Sequence, residues 1–272
     1  MPGACAGIRR QPRALGPSLD ELRGRTTGDI GERAIMLRVL ERFDDHKPII
    51  ERHIREHGRS VGHLRVLEAG CGRGWPFHLP DTPMTLIGVD TDRDALALRR
   101  KAGDLDEAIL GDLHDVSLPD ASFDIIYSRF VLEHLRGAEA VLDKFQGWLK
   151  PNGIMILIFP DRDSVYSFFA RLTPHRFHVM FKKYIAGEKM AGTPGYGPYP
   201  TYNEKVTARK GFLAFCEKRK LRVVEEYGMN DERFPRVFYL FCRFVEIWSF
   251  GALSSGHINL VYVVSKECDG TE

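Results

Sequence analysis

Charge of one sign is not in excess in this sequence: 39 lysines and arginines face 37 aspartates and glutamates over 272 residues. A balance that close excludes a chain built throughout to coat nucleic acid or another acidic surface. Cysteine is sparse, and Cys5, Cys71, Cys216, Cys242 and Cys268 include no CxxC pair. An odd number in that pattern argues against a disulfide framework or a zinc knuckle, and for free thiols in a reducing, cytoplasmic setting. A long uncharged apolar run is also missing. The most apolar stretch, Pro235–Leu253, is interrupted by Arg236, Arg243 and Glu246, so no transmembrane helix is expected. Residues 1–28 lack the apolar core of a signal peptide. With Arg9, Arg10, Arg13 and many Pro and Gly, they read as a disordered tail rather than a transit peptide.

A hydrophobic content of 43% fits a globular chain, and residues 29–265 are expected to form one domain. Ile30, Ala34, Leu37 and Leu40 recur at helical spacing up to Phe43, and Ile50 and Ile54 mark a second helix whose first turn tolerates Pro48. His53 and His57 share a face of that helix, which is expected to be solvated rather than metal-binding. Apolar strands are expected at 64–69, 85–89, 108–110, 123–128, 154–159, 221–225 and 258–264. Helices are expected at 94–103, 131–149 and 210–220, and Pro80 and Pro83 limit any helix after Trp75 to a turn or two. Strand and helix alternating over short connections describe a doubly wound α/β sheet.

The centre of this pattern is Val66-Leu67-Glu68-Ala69-Gly70-Cys71-Gly72-Arg73-Gly74, a strand running into a glycine turn. Such a turn lies at the carboxyl edge of a sheet, where open α/β folds bind ligands. The dinucleotide fingerprint fails, because the sixth place is Trp75 counted from Gly70 and Phe77 counted from Gly72. No Gly-Lys-Ser/Thr of a P-loop follows either. With Asp90, Gly111-Asp112, Phe123-Asp124-Ile125-Ile126-Tyr127-Ser128, Leu132-Glu133-His134 and Leu149-Lys150-Pro151-Asn152-Gly153, the turn resembles that of class I S-adenosylmethionine-dependent methyltransferases, in the branch that includes many small-molecule enzymes. The resemblance is specific over about residues 64–160.

It implies a seven-stranded, mostly parallel sheet with an antiparallel last strand, and S-adenosylmethionine as cofactor. Asp90, followed by Thr91, would accept the ribose hydroxyls, and Asp112 the adenine amino group, with Leu113 against the ring. Glu68, Gly70, Cys71 and Gly72 would hold the methionyl end, and Ser128 and Arg129 would line that side of the cleft. Asp124 is expected to fix its strand rather than touch a ligand.

Methyl transfer needs a general base only when the acceptor must lose a proton. His134, His175 and His178 are the candidates, and a metal pair at His175 and His178 is not expected. Residues 161–205, rich in aromatics, read as a substrate-side insertion or lid with Tyr199 and Tyr202 as acceptor contacts, the alternative being a subdomain core. Pro235–Leu253 is expected to be a buried helix rather than one lying on a lipid surface. After Tyr127 the chain reads Ser128-Arg129-Phe130-Val131 in place of an Asp/Asn-Pro-Pro-aromatic motif, and it has no Pro-Cys pair; DNA is therefore not an expected partner. The expected acceptor is a small, aromatic or apolar molecule, and the expected state a monomer or homodimer with peripheral membrane contact open. A protein or RNA methyltransferase and a non-catalytic cofactor-binding protein are the alternatives.

Overall fold

The computed structural model describes residues 37–267, apart from 185–188, 194–196, 233 and 235. The tail reading of residues 1–28, with Cys5 and Cys268, lies outside the described residues. The sheet grows from short apolar runs, of which residues 154–159 are uninterrupted and buried, as strands covered on both faces are. Its strands are β1 (Arg38–Leu40), β2 (Leu64–Ala69), β3 (Met84–Asp90), β4 (Glu107–Leu110), β5 (Phe123–Arg129), β6 (Leu149–Pro160), β7 (Leu221–Met229) and β8 (Asn259–Lys266). They lie in the order β1-β7-β8-β6-β5-β2-β3-β4. All pairs are parallel except those of β8, which runs antiparallel to β6 and β7.

From β2 the chain moves outward to β3 and β4, then returns to place β5 on the other side of β2. The β2/β5 pair is therefore the topological switch point, and the glycine turn leaves β2 there. One face packs on α3 (Ala138–Trp148) and α6 (Arg209–Lys218) through Val141, Phe145, Phe212 and Phe215. The other packs on α1 (His46–Val61) through Ile50 and Ile54, with Phe77 beside them. The helix α2 (Arg93–Ala102) joins β3 to β4, and Asp92 caps it by accepting from the amides of Asp94 and Ala95.

Several expectations are corrected. Within the helix expected over 30–43, residues 38–40 form β1, paired with β7 at Arg38–Tyr227 and making the sheet eight-stranded. Backbone pairing along an open edge outweighs helical spacing there. The helix expected at 131–149 is two pieces, a single turn at Leu132–His134 and then α3, separated by Gly137 at φ 75°. No helix forms at Trp75–Pro80. His53 is not solvated: it is buried, 3.1 Å from Glu225, whose two oxygens also accept from Arg52 at 2.8 and 3.0 Å. Burial opposes ionisation of Glu225, but bonds from His53, Arg52 and Tyr227 hold its carboxyl at about 2.

The insertion after β6 contributes α4 (Val165–Leu172) and α5 (His175–Tyr184), and Pro235–Leu253 contributes α7 (Arg236–Trp248). The expectation of a buried α7 fails: among its described apolar side chains only Cys242 is buried, and Phe244 is 68% exposed. Among the described residues no helix is long and apolar enough to cross a membrane.

Candidate functional site

Gly70 and Gly72 adopt φ of +74° and +53°, a region that side chains with a Cβ rarely occupy. At Gly70 the requirement is double, because a Cβ there would run into the Val131 side chain. Around Gly72 and Gly74 the space is open. The turn is held from below by Asp90 at the tip of β3. Its Oδ2 accepts from the Gly72 amide at 2.7 Å and its Oδ1 from the Asp92 amide at 2.8 Å. A carboxylate has about four acceptor positions, so Asp90 keeps capacity for further donors. Thr91 follows it, exposed.

Arg99 carries the load on the other side, and sequence reasoning missed it. Fully buried, it donates to Glu68 Oε2 at 2.8 Å, to the Cys71 carbonyl at 2.7 Å and to Asp104 at 2.6 Å. Glu68 thus braces the turn through one oxygen. Burial pushes its carboxyl up to about 7, with Arg99 pulling the other way. Ala95, Leu96 and Arg99 share the buried face of α2, a burial that the sequence by itself does not show. Cys71 presents its backbone to the turn, while its buried thiol, pushed up to about 12 by desolvation, packs under Gly88.

At the end of β5, Ser128 is buried and its hydroxyl donates to the Ala69 carbonyl at 3.0 Å, tying β5 to β2. The neighbouring Arg129 is half-buried and, among the described residues, forms no hydrogen bond or ion pair. Its charge nevertheless acts on Glu68 and Tyr127. Phe130 turns the chain at φ 56°, which sets Val131 against Gly70. Asp124, as expected, fixes its strand: Oδ2 accepts from the Arg65 amide at 2.8 Å and pairs with Lys150 at 2.8 Å.

Asp112 is exposed beyond β4, and its Oδ1 accepts from the His114 amide at 2.9 Å and ring at 2.6 Å. These bonds hold the Asp112 carboxyl below its ordinary value. The bond to Asp112 raises His114, whose other nitrogen meets the Arg136 carbonyl at 2.6 Å. Leu113 is buried beside this loop.

The acceptor-side candidates divide. His134 lies three residues after Val131, the side chain that faces Gly70, with Nδ1 donating to the Pro200 carbonyl at 2.8 Å and the ring 5.7 Å from that of Tyr199. Burial holds this imidazole below its ordinary value, and its Nε2 lies 3.7 Å from a Glu133 carboxyl oxygen. The Tyr199 hydroxyl is kept protonated by burial first, and by Asp92 and Asp90 across the mouth of the turn. Tyr202 stacks under Arg136 at 4.6 Å. Both tyrosines are nearly half exposed. His175 and His178 begin α5, and their side chains lie outside the described residues. Among the described residues no cluster of metal-binding side chains occurs. Glu133 was not a candidate. It is 3% exposed, one carboxyl oxygen has no partner, and burial pushes it up to about 8.

Residues 67–157 match the family described as methyltransferase domain. A protein of Mycolicibacterium smegmatis described as a probable S-adenosylmethionine-dependent methyltransferase is 34% identical over 98 residues, 36% of this chain and 38% of that one. The malonyl-[acyl-carrier protein] O-methyltransferase of Yersinia pestis is 32% identical over 92 residues, 34% of each chain. Each alignment spans little more than a third of the relative's own length. A solved SAM-dependent methyltransferase of Methanosarcina mazei superposes with a TM-score of 0.52 at 16% identity, over 82% of this chain and 98% of that one. At that identity the likeness concerns the fold.

Proposed function

We propose, from the premise that residues 67–157 form a methyltransferase domain of the class I S-adenosylmethionine-dependent superfamily, that this chain transfers a methyl group from S-adenosylmethionine to a small, aromatic or apolar acceptor. The observation that carries the reading is the left-handed glycine turn at the switch point, clamped by Asp90 and open around Gly72 and Gly74. The chemistry of its surroundings suits that donor. Asp90 has acceptor capacity for hydroxyls, and Arg129 is a cation without a partner among the described residues, suited to a carboxylate.

Bound there, the donor supplies a methyl carbon already activated by its sulfonium. The chain's task is then positioning, which is worth on the order of 7–11 kcal/mol. Gly70 and Gly72 let the backbone approach, Asp90 orients the ribose, and Asp112 receives the adenine amino group beside Leu113. Glu68 acts at one remove, through Arg99 and the Cys71 carbonyl. Among the described candidates, His134, with its imidazole held below its ordinary value and Nε2 3.7 Å from Glu133, is the group suited to take a proton from a phenolic or acidic acceptor. Tyr199 and Tyr202, beside His134 and Arg136, supply aromatic surface on the same side.

The relatives include one named phosphoethanolamine N-methyltransferase and one named malonyl-[acyl-carrier protein] O-methyltransferase, two different acceptors. Acceptor class therefore has to be read out directly. Methyl-labelled donor would be incubated with the chain and with metabolite, protein and RNA fractions of a cell extract. Label extracted with small molecules is the expected result. Label retained on protein or RNA would overturn the acceptor assignment, and donor binding without transfer to any fraction would overturn the enzymatic one.

A further inference from the structure

Helices α4 and α7 together leave a large apolar surface uncovered. Along α7, Val237, Leu240, Phe244, Ile247 and Trp248 recur at helical spacing and face outward. Trp248 is 76% exposed, and Phe250 just beyond it is 99% exposed. Across from them α4 adds Phe169 and Leu172, its Phe169 ring 5.5 Å from that of Phe241. Soluble surfaces seldom carry that much contiguous apolar area without an occupant.

Charge says which occupant fits. Residues 164–184 contain Arg171, Arg176, Lys182 and Lys183 and no acid, while residues 236–253 contain Arg236, Arg243 and the single acid Glu246. That acid is engaged, its Oε2 accepting from the Ser255 hydroxyl at 2.5 Å. Arg236 and Arg243 are exposed and form no ion pair among the described residues. In a chain whose charge is otherwise balanced, Arg236 and Arg243 thus lie on the helix that carries the apolar face, and the segment of α4 and α5 is cationic in sequence. Two copies meeting there would set these cations against one another. An apolar helix face edged by arginine, with aromatics at its end, is the pattern of a helix lying in the plane of an anionic bilayer. At 13 residues α7 is about 20 Å long and does not span.

We propose that α4 and α7 dock this chain on an anionic lipid bilayer, with Leu240, Phe244, Ile247, Trp248 and Phe250 entering the interface and Arg236 and Arg243 meeting lipid phosphates. The two helices follow β6 and β7, whose ends share the sheet edge of the glycine turn. Docking there brings the acceptor side of the site against the membrane, the source of an apolar substrate. The docking itself does not rest on the methyl-transfer reading, and its test uses no donor.

The full chain would be mixed with vesicles of phosphatidylcholine alone and with vesicles containing about one-third phosphatidylglycerol. Sedimentation with the anionic vesicles, falling with salt, and a blue shift of tryptophan emission that Trp248→Phe abolishes are expected. Each of Arg236→Glu and Arg243→Glu should weaken anionic binding by roughly fivefold or more. Phe244→Asp with Ile247→Asp should weaken it further with an unchanged circular dichroism spectrum. Absence of sedimentation with both vesicles would overturn the proposal, as would undiminished binding by the Asp pair. A dimer in size exclusion that Phe244→Asp dissolves would overturn it in favour of self-association. Should the Asp pair unfold, the Trp248 emission of the parent chain still decides.

Discussion

Arg99 shows how much of the glycine turn depends on a side chain that never reaches it from the front. Its three donors satisfy Glu68, the Cys71 carbonyl and Asp104, the first two closed to water and Asp104 about one-third exposed. Arg99→Leu would strand the Glu68 carboxylate at 4% exposure. Breaking one half of a buried pair costs about 3–5 kcal/mol, so urea unfolding should show a loss of that order. A loss under about 1 kcal/mol would remove Arg99 from this role. Glu133 makes a different residue-scale case. Its carboxyl lies at about 8 in the fold because burial disfavours the charge, against about 4.3 in the unfolded chain. Below the lower value both states hold the proton. Between the two, only the folded state holds it, so stability falls as pH rises and the contribution is gone above about 8. The slope from this group is at most about 1.4 kcal/mol per pH unit. Glu133→Gln should therefore be flatter than the parent between pH 5.5 and 8.5 in urea midpoints, and parallel slopes would sink the assignment. Asp90 and the glycines were legible in the sequence because the turn's demand for φ above zero and for a strand-end carboxylate is local. Arg99 and Glu133 were not, since their significance comes from burial, which is settled by partners 31 and about 70 residues away.

At the scale of elements, the start of α3 depends on a residue outside it. Gly137 precedes the helix with no side chain to cap it, and Glu204 supplies the cap by accepting from the amides of Gly137 at 2.6 Å and Ala138 at 3.0 Å. The same stretch is fastened by the Tyr202 amide donating to the Glu133 carbonyl at 2.8 Å and by His134 donating to Pro200. A carboxylate on a helix N-terminus also meets the favourable end of its dipole. Glu204→Ala should cost about 0.5–2 kcal/mol, and proteolysis should then cut residues 197–204 faster than in the parent. Unchanged cleavage would mean that the other bonds fasten the stretch without Glu204. Strands β2 to β6 were readable because short apolar runs, unbroken over residues 154–159, lie between turn residues. The β1 segment was not, because three residues on a sheet edge owe their state to β7 rather than to their own spacing. The face of α7 was ambiguous for a related reason. A stripe of Leu, Phe and Ile at helical spacing specifies a helix and an apolar face, but not whether protein or something else covers that face.

For the whole molecule, the sheet divides the work. The glycine turn, Asp90, Asp112 and Arg129 gather at the carboxyl ends of β2 to β5, whereas α4 and α7 follow β6 and β7. The first group sits at strand ends, and strand ends are marked locally in the sequence. The second depends on what the molecule meets, and its composition alone was open to several readings. The donor half allows one ligand-linked prediction for the folded chain. A ligand at 100 times its Kd stabilises by about 2.7 kcal/mol, so S-adenosylhomocysteine and methylthioadenosine should both raise the melting temperature. They share the nucleoside, but only the first carries a carboxylate. Arg129, without a bond among the described residues, should be replaceable by alanine with little change in the unliganded melt. Losing a charge-assisted bond of about 1.5–3 kcal/mol should weaken S-adenosylhomocysteine binding to Arg129→Ala by roughly 10- to 150-fold, while methylthioadenosine affinity stays as in the parent. Equal losses for both ligands would show that Arg129 shapes the nucleoside pocket and does not hold the carboxylate. No loss for either would move the carboxylate site away from the end of β5.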